Sequence, residues 1–498
     1  TGVGYFALKA NTTGTKNTGV GTNSLDANTT ADNNTAVGYD SLTANTTGFD
    51  NTAMGRGSMQ TTTTGCQNTA LGKESLRAST TGDNNVALGF KALDDNTTAN
   101  SNVAVGANSL CQNTTGAENT AVGEKTLRQN TTGLRNVAVG YLALTSNTTA
   151  AGNIAIGESA LENNSTGASN TAVGRKSLIN NTTASNNTAF GFCTLTQQTT
   201  NGTHNTAVGA NALRLNTTGT HNVAVGFAAL DGNTEAVGNV AIGHAALNAT
   251  TTGAANTAVG RQSMDANTTG EGNTSVGNNS LGANTEGAYN VGIGANAGLL
   301  QTTGGNNVFV GDSAGRQSTT GCKNTAVGSG ALYGAGGSGT VMQDNTAVGY
   351  RSLYTNTTGG LNVAVGRIAM CSNTTGAENV AVGASAGLVN LTGCRLTAVG
   401  FESGKAHTTG VENSLFGRKS GLALTTGDNN TFIGSYSGIA LTTADDNTGV
   451  GKSALSSNTS GYSNTAVGKD AMNGNTEGHT NAAFGAAALE DNTTGDCN

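Results

Sequence analysis

Two pentapeptides, five histidines and seven cysteines are where this chain could do chemistry. Gly311-Asp312-Ser313-Ala314-Gly315 and Gly383-Ala384-Ser385-Ala386-Gly387 have the Gly-x-Ser-x-Gly form of a nucleophile elbow. Such an elbow activates its serine only where a strand turns sharply into a helix, with a histidine and an acid nearby. His204 and His221 lie in identical Thr-His-Asn contexts, and neighbouring rungs of a stack would bring their rings to about 4.8 Å, close enough to share a metal. They are the candidate metal ligands, weighed against an exposed pair copied by duplication. The Asp-Asn-Asn corners that begin at Asp83 and Asp428 resemble those of calcium-binding solenoids, but acids do not repeat in register. Asn-Thr-Thr occurs in 13 of the 29 repeats and is formally an N-glycosylation acceptor, or else a corner ladder that needs no sugar.

All of these residues are held by one repeat. The chain divides into 29 copies of a 17-residue unit, with one extra residue near Asn201 and four between Thr325 and Asn345. A fixed short period with no other remainder means one supersecondary unit stacked many times, hence a single continuous domain over 1–498. The coils at 188–205 and 325–345 are irregular, and those at 291–324 and 380–447 carry Gly where most copies have Leu. The Gly-rich insert Gly334 to Asp344 is expected to leave the stack as a loop.

Counting columns from the Thr of Thr-Ala-Val-Gly makes the unit readable. Column 4 is Gly throughout, as at Gly4, Gly38 and Gly174, and suits a corner needing positive φ or close backbone approach. Column 17 is Asn in every copy except at Leu396. Asn181 and Asn187, in columns 11 and 17, are read as ladder positions, one amide bonding the next along the stack. Column 3 is always apolar, as at Val173, and column 8 is mostly Leu or Met, as at Leu178, so both are assigned to the core. The chain has no proline, where average usage would give about 25, because a rung must donate hydrogen bonds to its neighbours. The fold expected is all-β: a parallel β-solenoid of 29 coils, a rod of roughly 135 Å at about 4.8 Å per rung.

With columns 1 and 3 pointing inward, column 2 points outward, yet it is almost always Ala, Gly or Ser. A row of small residues including Ala104, Ala172 and Ala241 then reads as a surface where another chain packs closely, most simply in a parallel homotrimer. The alternative is that column 2 faces a tightly packed part of its own core.

Val103-Ala104-Val105-Gly106, Ile154-Ala155-Ile156-Gly157 and Val240-Ala241-Ile242-Gly243 resemble the strand motif in head domains of trimeric autotransporter adhesins. The longer pattern from Thr120 through Asn130-Thr131-Thr132-Gly133 is similar to shaft repeats of phage tail-fibre-like proteins. The resemblance implies a β-roll wound as a homotrimer and a role in an extracellular or virion-surface appendage.

Scattered cysteines, none beside another in its column, predict free thiols and assembly in a reducing cytoplasm. A net charge of −7 with 23 basic residues argues against nucleic acid as a partner, and no apolar run is long enough to span a membrane. Column 5 carries Tyr and Phe residues that could pack on a partner chain or stack on surface glycans. The repeat begins at column 1 and ends at column 17, which suits an excised shaft or end-to-end stacking into a filament. The expected role is a non-enzymatic fibre without cofactor, adhesin-like or tail-fibre-like. A self-assembling surface filament and an ice-binding solenoid are the alternatives.

Overall fold

The computed structural model describes residues 1–334 and 342–498. Most of the expected loop, 335–341, lies outside the described residues. The chain forms two compact units, Thr1–Thr252 and Gly253–Asn498. Each is a parallel β-solenoid, and together they hold 29 short strands, one per turn, with no helix among the described residues. Strands pair in strict register: Thr171, Ala172 and Val173 lie beside Thr188, Ala189 and Phe190. Both insertions are absorbed outside the strands, since Thr188 still pairs with Thr206 and Thr325 with Thr346. The insert's described ends stay on the coil path, where Gly334 N–H donates to Tyr354 O at 3.0 Å and Asp344 N–H to Cys322 O at 3.2 Å.

Strands are three residues long, two in the first coil, because column 4 turns the chain at once. Gly174 has φ of 129°, a conformation closed to residues with a Cβ, and a Cβ there would run into the carbonyl of Gly191 in the next coil. Columns 6, 8 and 16 also have positive φ, near 50–60°, but this is the left-handed region that other residues enter. Leu178 sits there at 50°, held by burial of its side chain and by the bond from its N–H to Thr194 O at 3.0 Å.

The strand faces opposite to expectation. Ala104, Ala172 and Ala241 are fully buried, whereas Val173 is only half-buried and Ile156 and Ile242 are each 40% exposed. Column 2 therefore points inward, and columns 1 and 3 outward. The reason is width. The coil is so narrow that the column 8 leucines fill its apolar half, leaving room for little more than a methyl group opposite. At Gly19 an added Cβ would lie 3.3 Å from Leu8 Cγ of the preceding coil. Val173 is thus not core; Leu178 is.

The exceptions in column 2 support this account. Phe309, Leu415 and Phe432 are fully buried, and all three fall in coils whose column 8 is Gly. A Cβ on Gly438 would meet the Phe432 ring at 2.6 Å, and one on Gly421 would meet Leu415 Cδ2 at 2.8 Å. The large side chain has moved from one wall to the other while the filled volume is retained, as close-packed interiors require. Leu396, Leu424 and Leu441, which replace buried Asn in the same region, add to it.

The other half of the interior is amide. Asn34 Nδ2 donates to Gly48 O at 2.8 Å, and Asn51 N–H donates to Asn34 Oδ1 at 3.0 Å. Asn45 Nδ2 donates to Asn28 Oδ1 at 2.8 Å and to the same Gly48 carbonyl at 2.9 Å. Columns 11 and 17 thus tie each coil to both neighbours and satisfy polar groups that burial would otherwise penalise. Asn181 and Asn187 follow this pattern, with bonds of 2.7 Å to Asn164 Oδ1 and 2.9 Å to Gly202 O.

Candidate interaction face

With column 2 buried, Ala104, Ala172 and Ala241 cannot form a surface for another chain. The outward residues of the strands take that place. Columns 1 and 3 present Thr, Val, Ile, Leu, Met and Phe in register along the sheet of each unit, with Ile154, Ile156, Phe190, Val276 and Ile293 among the exposed side chains. A parallel sheet ordinarily covers both of its faces, and here one face is open, with a wholly apolar column 3 beside a column 1 mainly of Thr, Val and Ile. The β-branched residues of columns 1 and 3 are the sequence signal of this face, which lies outside the coil and not in its core.

Around the column 4 corner, column 5 exposes a separate row of rings that includes Tyr39, Phe90, Tyr141, Phe192 and Phe227. Cations of the coil before lie against several of them: Lys73 Nζ is 5.5 Å from the Phe90 centroid and the Arg175 guanidinium 5.8 Å from that of Phe192. Pairs of this kind are worth about 0.5–1 kcal/mol at exposed sites, so they steady the rings more than they stabilise the coil.

The candidate chemistry resolves into scaffold geometry. His204 and His221 are exposed and stacked, with centroids 5.0 Å apart and planes 7° from parallel. Ring-nitrogen lone pairs lie in the ring plane, so parallel rings direct them side by side rather than at one ion. No group of three or more His, Cys, Asp or Glu able to hold a metal occurs among the described residues. Asp83 and Asp428 each accept a backbone N–H of the preceding coil at 2.7 Å, from Cys66 and Val411, which commits an oxygen of each to the stack. Ser313 and Ser385 are turn residues with φ of 55° and 58°, and no helix follows either. In the Asn-Thr-Thr motif, Asn181 is fully buried with its amide donating to Asn164 and Ala184, so the folded coil does not present it to a modifying enzyme. The following Thr hydroxyls donate along the stack, Thr46 to Thr63 O at 3.1 Å. All seven cysteines are free.

One titratable group went unread in the sequence. His407 occupies column 11, fully buried, with Nδ1 3.1 Å from Asn390 Oδ1 and Nε2 3.1 Å from Asn413 Nδ2. The neutral ring replaces an amide, donating through one nitrogen and accepting through the other. Burial lowers its pKa to about 4. Its column position was the available signal.

No protein-family model matches the chain, and no curated protein matches it. No helix among the described residues is long and apolar enough to cross a membrane.

Proposed function

We propose that the chain is a non-enzymatic structural shaft of an extracellular or virion-surface appendage, adhesin-like or tail-fibre-like. It associates sideways with further copies of itself, most simply as a parallel homotrimer, and spaces or presents an adhesive tip. The observation that carries this reading is the open face of columns 1 and 3, with its apolar column 3 repeated in register from strand to strand. Contiguous apolar surface of this kind marks an association site, and the periodicity makes any second copy complementary at every rung. Seven free thiols support assembly in a reducing compartment before display. Column 5 rings, standing apart from the association face, suit contact with surface glycans. Sedimentation of the purified chain at micromolar concentration is expected to give a multimer, and electron microscopy straight rods of uniform width. A monomer in the first measurement or globular particles in the second would overturn the reading.

A further inference from the structure

Two of the cavities among the described residues share one construction on the outer surface. Each spans columns 5, 6 and 9 of three successive coils, and each centres on the middle coil's column 6 residue, Gly57 in one and Gly330 in the other. These are the two coils in which column 6 is glycine. Backbone geometry does not demand it. Gly57 and Gly330 have φ of 65° and 64°, while Asn23, Glu74, Ser313 and Arg351 occupy the same column at 50–59°. What glycine supplies is the absence of a side chain, so a row that is filled elsewhere has a notch.

At Gly330 the notch measures about 150 Å³, smaller than the roughly 300–1,000 Å³ of a drug-sized site and suited to a single ring. Its walls are pre-ordered. Tyr333 and Tyr354 stack with centroids 4.8 Å apart, and Arg316 Nη1 donates to Tyr333 Oη at 2.7 Å. The Arg351 guanidinium lies 5.2 Å from the Tyr350 centroid and 5.0 Å from that of Tyr354. Asp312 adds a carboxylate with no ion pair among the described residues, and Ser313 and Ser329 add hydroxyls.

This set excludes charged ligands from both directions. A cation would seek the tyrosine rings, but the Arg351 guanidinium beside Tyr350 and Tyr354 repels it. An anion would seek Arg351, but faces the Asp312 carboxylate across a cavity of one ring's width. An uncharged ring with an apolar face and a rim of hydroxyls fits: its C–H face lies on tyrosine, its hydroxyls donate to Asp312, and Arg351 donates to its oxygens. The Gly57 notch, about 220 Å³, likewise holds a tyrosine, an acid and an arginine in Tyr39, Asp40 and Arg56, but has Gln60, Glu74 and an Arg77 already paired with Asp94 where the Gly330 notch has Tyr333, Arg351 and Tyr354. We propose that the Gly330 notch binds a neutral pyranose, the terminal residue of a glycan, and that the Gly57 notch, with the single ring of Tyr39, takes the same ligand more weakly. The proposal rests on the reading of the chain as a presenting fibre and adds to it where the ligand sits and of what class it is.

The test uses the full chain and millimolar methyl glycosides of glucose, galactose, mannose and N-acetylglucosamine, with methyl sialoside and choline as charged probes. Saturation-transfer NMR reads contact and titration reads affinity. At least one neutral glycoside is expected to bind, with affinity falling tenfold or more in Tyr354→Ala and in the double variant Gly57→Asn/Gly330→Asn. Asparagine is native to column 6 at Asn23 with φ of 58°, so the double variant keeps its coil conformation while filling both notches. At Gly330 the new Cβ comes within 3.3 Å of Arg351 Cγ and the Tyr354 ring. Unchanged circular dichroism and melting of the variants make loss of binding a statement about the site. Binding by none of the neutral glycosides, equal binding in the filled variant, or stronger binding of the sialoside or choline would overturn the proposal. Sedimentation of the same samples reads the shaft separately, since the notches lie off the columns 1 and 3 face.

Discussion

At the scale of single residues, half of the interior is polar through its Asn columns, and His407 shows what that implies. The ring stands in an amide's place, neutral, with both nitrogens committed. Its pKa is lowered to about 4 by burial, against 6.5 ordinarily. Above pH 6.5 neither state is protonated there and His407 costs nothing. As pH falls from 6.5 towards 4, the unfolded chain takes up a proton that the folded coil refuses, so stability declines, by about 3 kcal/mol once pH is below 4. His407→Asn restores the column's usual residue and removes that loss. Melting curves of the two proteins between pH 7 and 4 should diverge progressively, the variant remaining the more stable. Parallel curves would show that the ring is not held neutral.

At the scale of the coil, two ledgers of space and hydrogen bonding run across neighbouring turns. Asn45 Oδ1 and Asn181 Oδ1 are buried without partners, and in each case the next coil carries Thr62 or Gln198 in place of Asn. Thr62 Oγ1 and Ser79 Oγ are likewise unpartnered. The double variant Thr62→Asn/Ser79→Asn should rejoin the ladder and stabilise each repaired rung by about 1 kcal/mol. Amide exchange within coils 52–85 would then slow by roughly fivefold, and faster exchange would contradict the ladder's role. The second ledger is volume. Phe432→Ala empties the space that Gly438 leaves and should cost about 3–5 kcal/mol. Adding Gly438→Leu recreates the common Ala and Leu pair and should recover most of the loss. A double-mutant cycle with no coupling would refute the exchange.

At the scale of the whole molecule, inward and outward strand positions are predicted to behave in opposite ways. Ile156→Lys and Ile242→Lys place charge on the open face, where a monomer tolerates it, and should weaken self-association while leaving the melting of dilute protein within about 0.5 kcal/mol. Ala172→Lys places the same charge in a fully buried position and should unfold its coil at any concentration. Sedimentation and melting together separate the two effects. The reverse result would return columns 1 and 3 to the interior. Because each coil leans only on its neighbours, such damage is local in origin and spreads as the stack loses adjacent interfaces.

The period, the proline-free composition, the column 4 glycines and the Asn columns were legible without coordinates, because each reflects a requirement repeated at every turn: a corner closed to Cβ, a donor on every rung, an amide bonded to the next amide. The facing of the strand was not. Alternation separates columns 1 and 3 from column 2 but does not say which side is inside, and large apolar residues ordinarily decide that question. Here the coil's width decided it, since a leucine from the opposite wall leaves room for alanine only. The coincidence of Phe309, Leu415 and Phe432 with column 8 glycines was the one trace of that width in the sequence. The notches at Gly57 and Gly330 were hidden for a related reason. A missing side chain is an opening only when the coils before and after it bring walls to either side, and tertiary stacking alone supplies them.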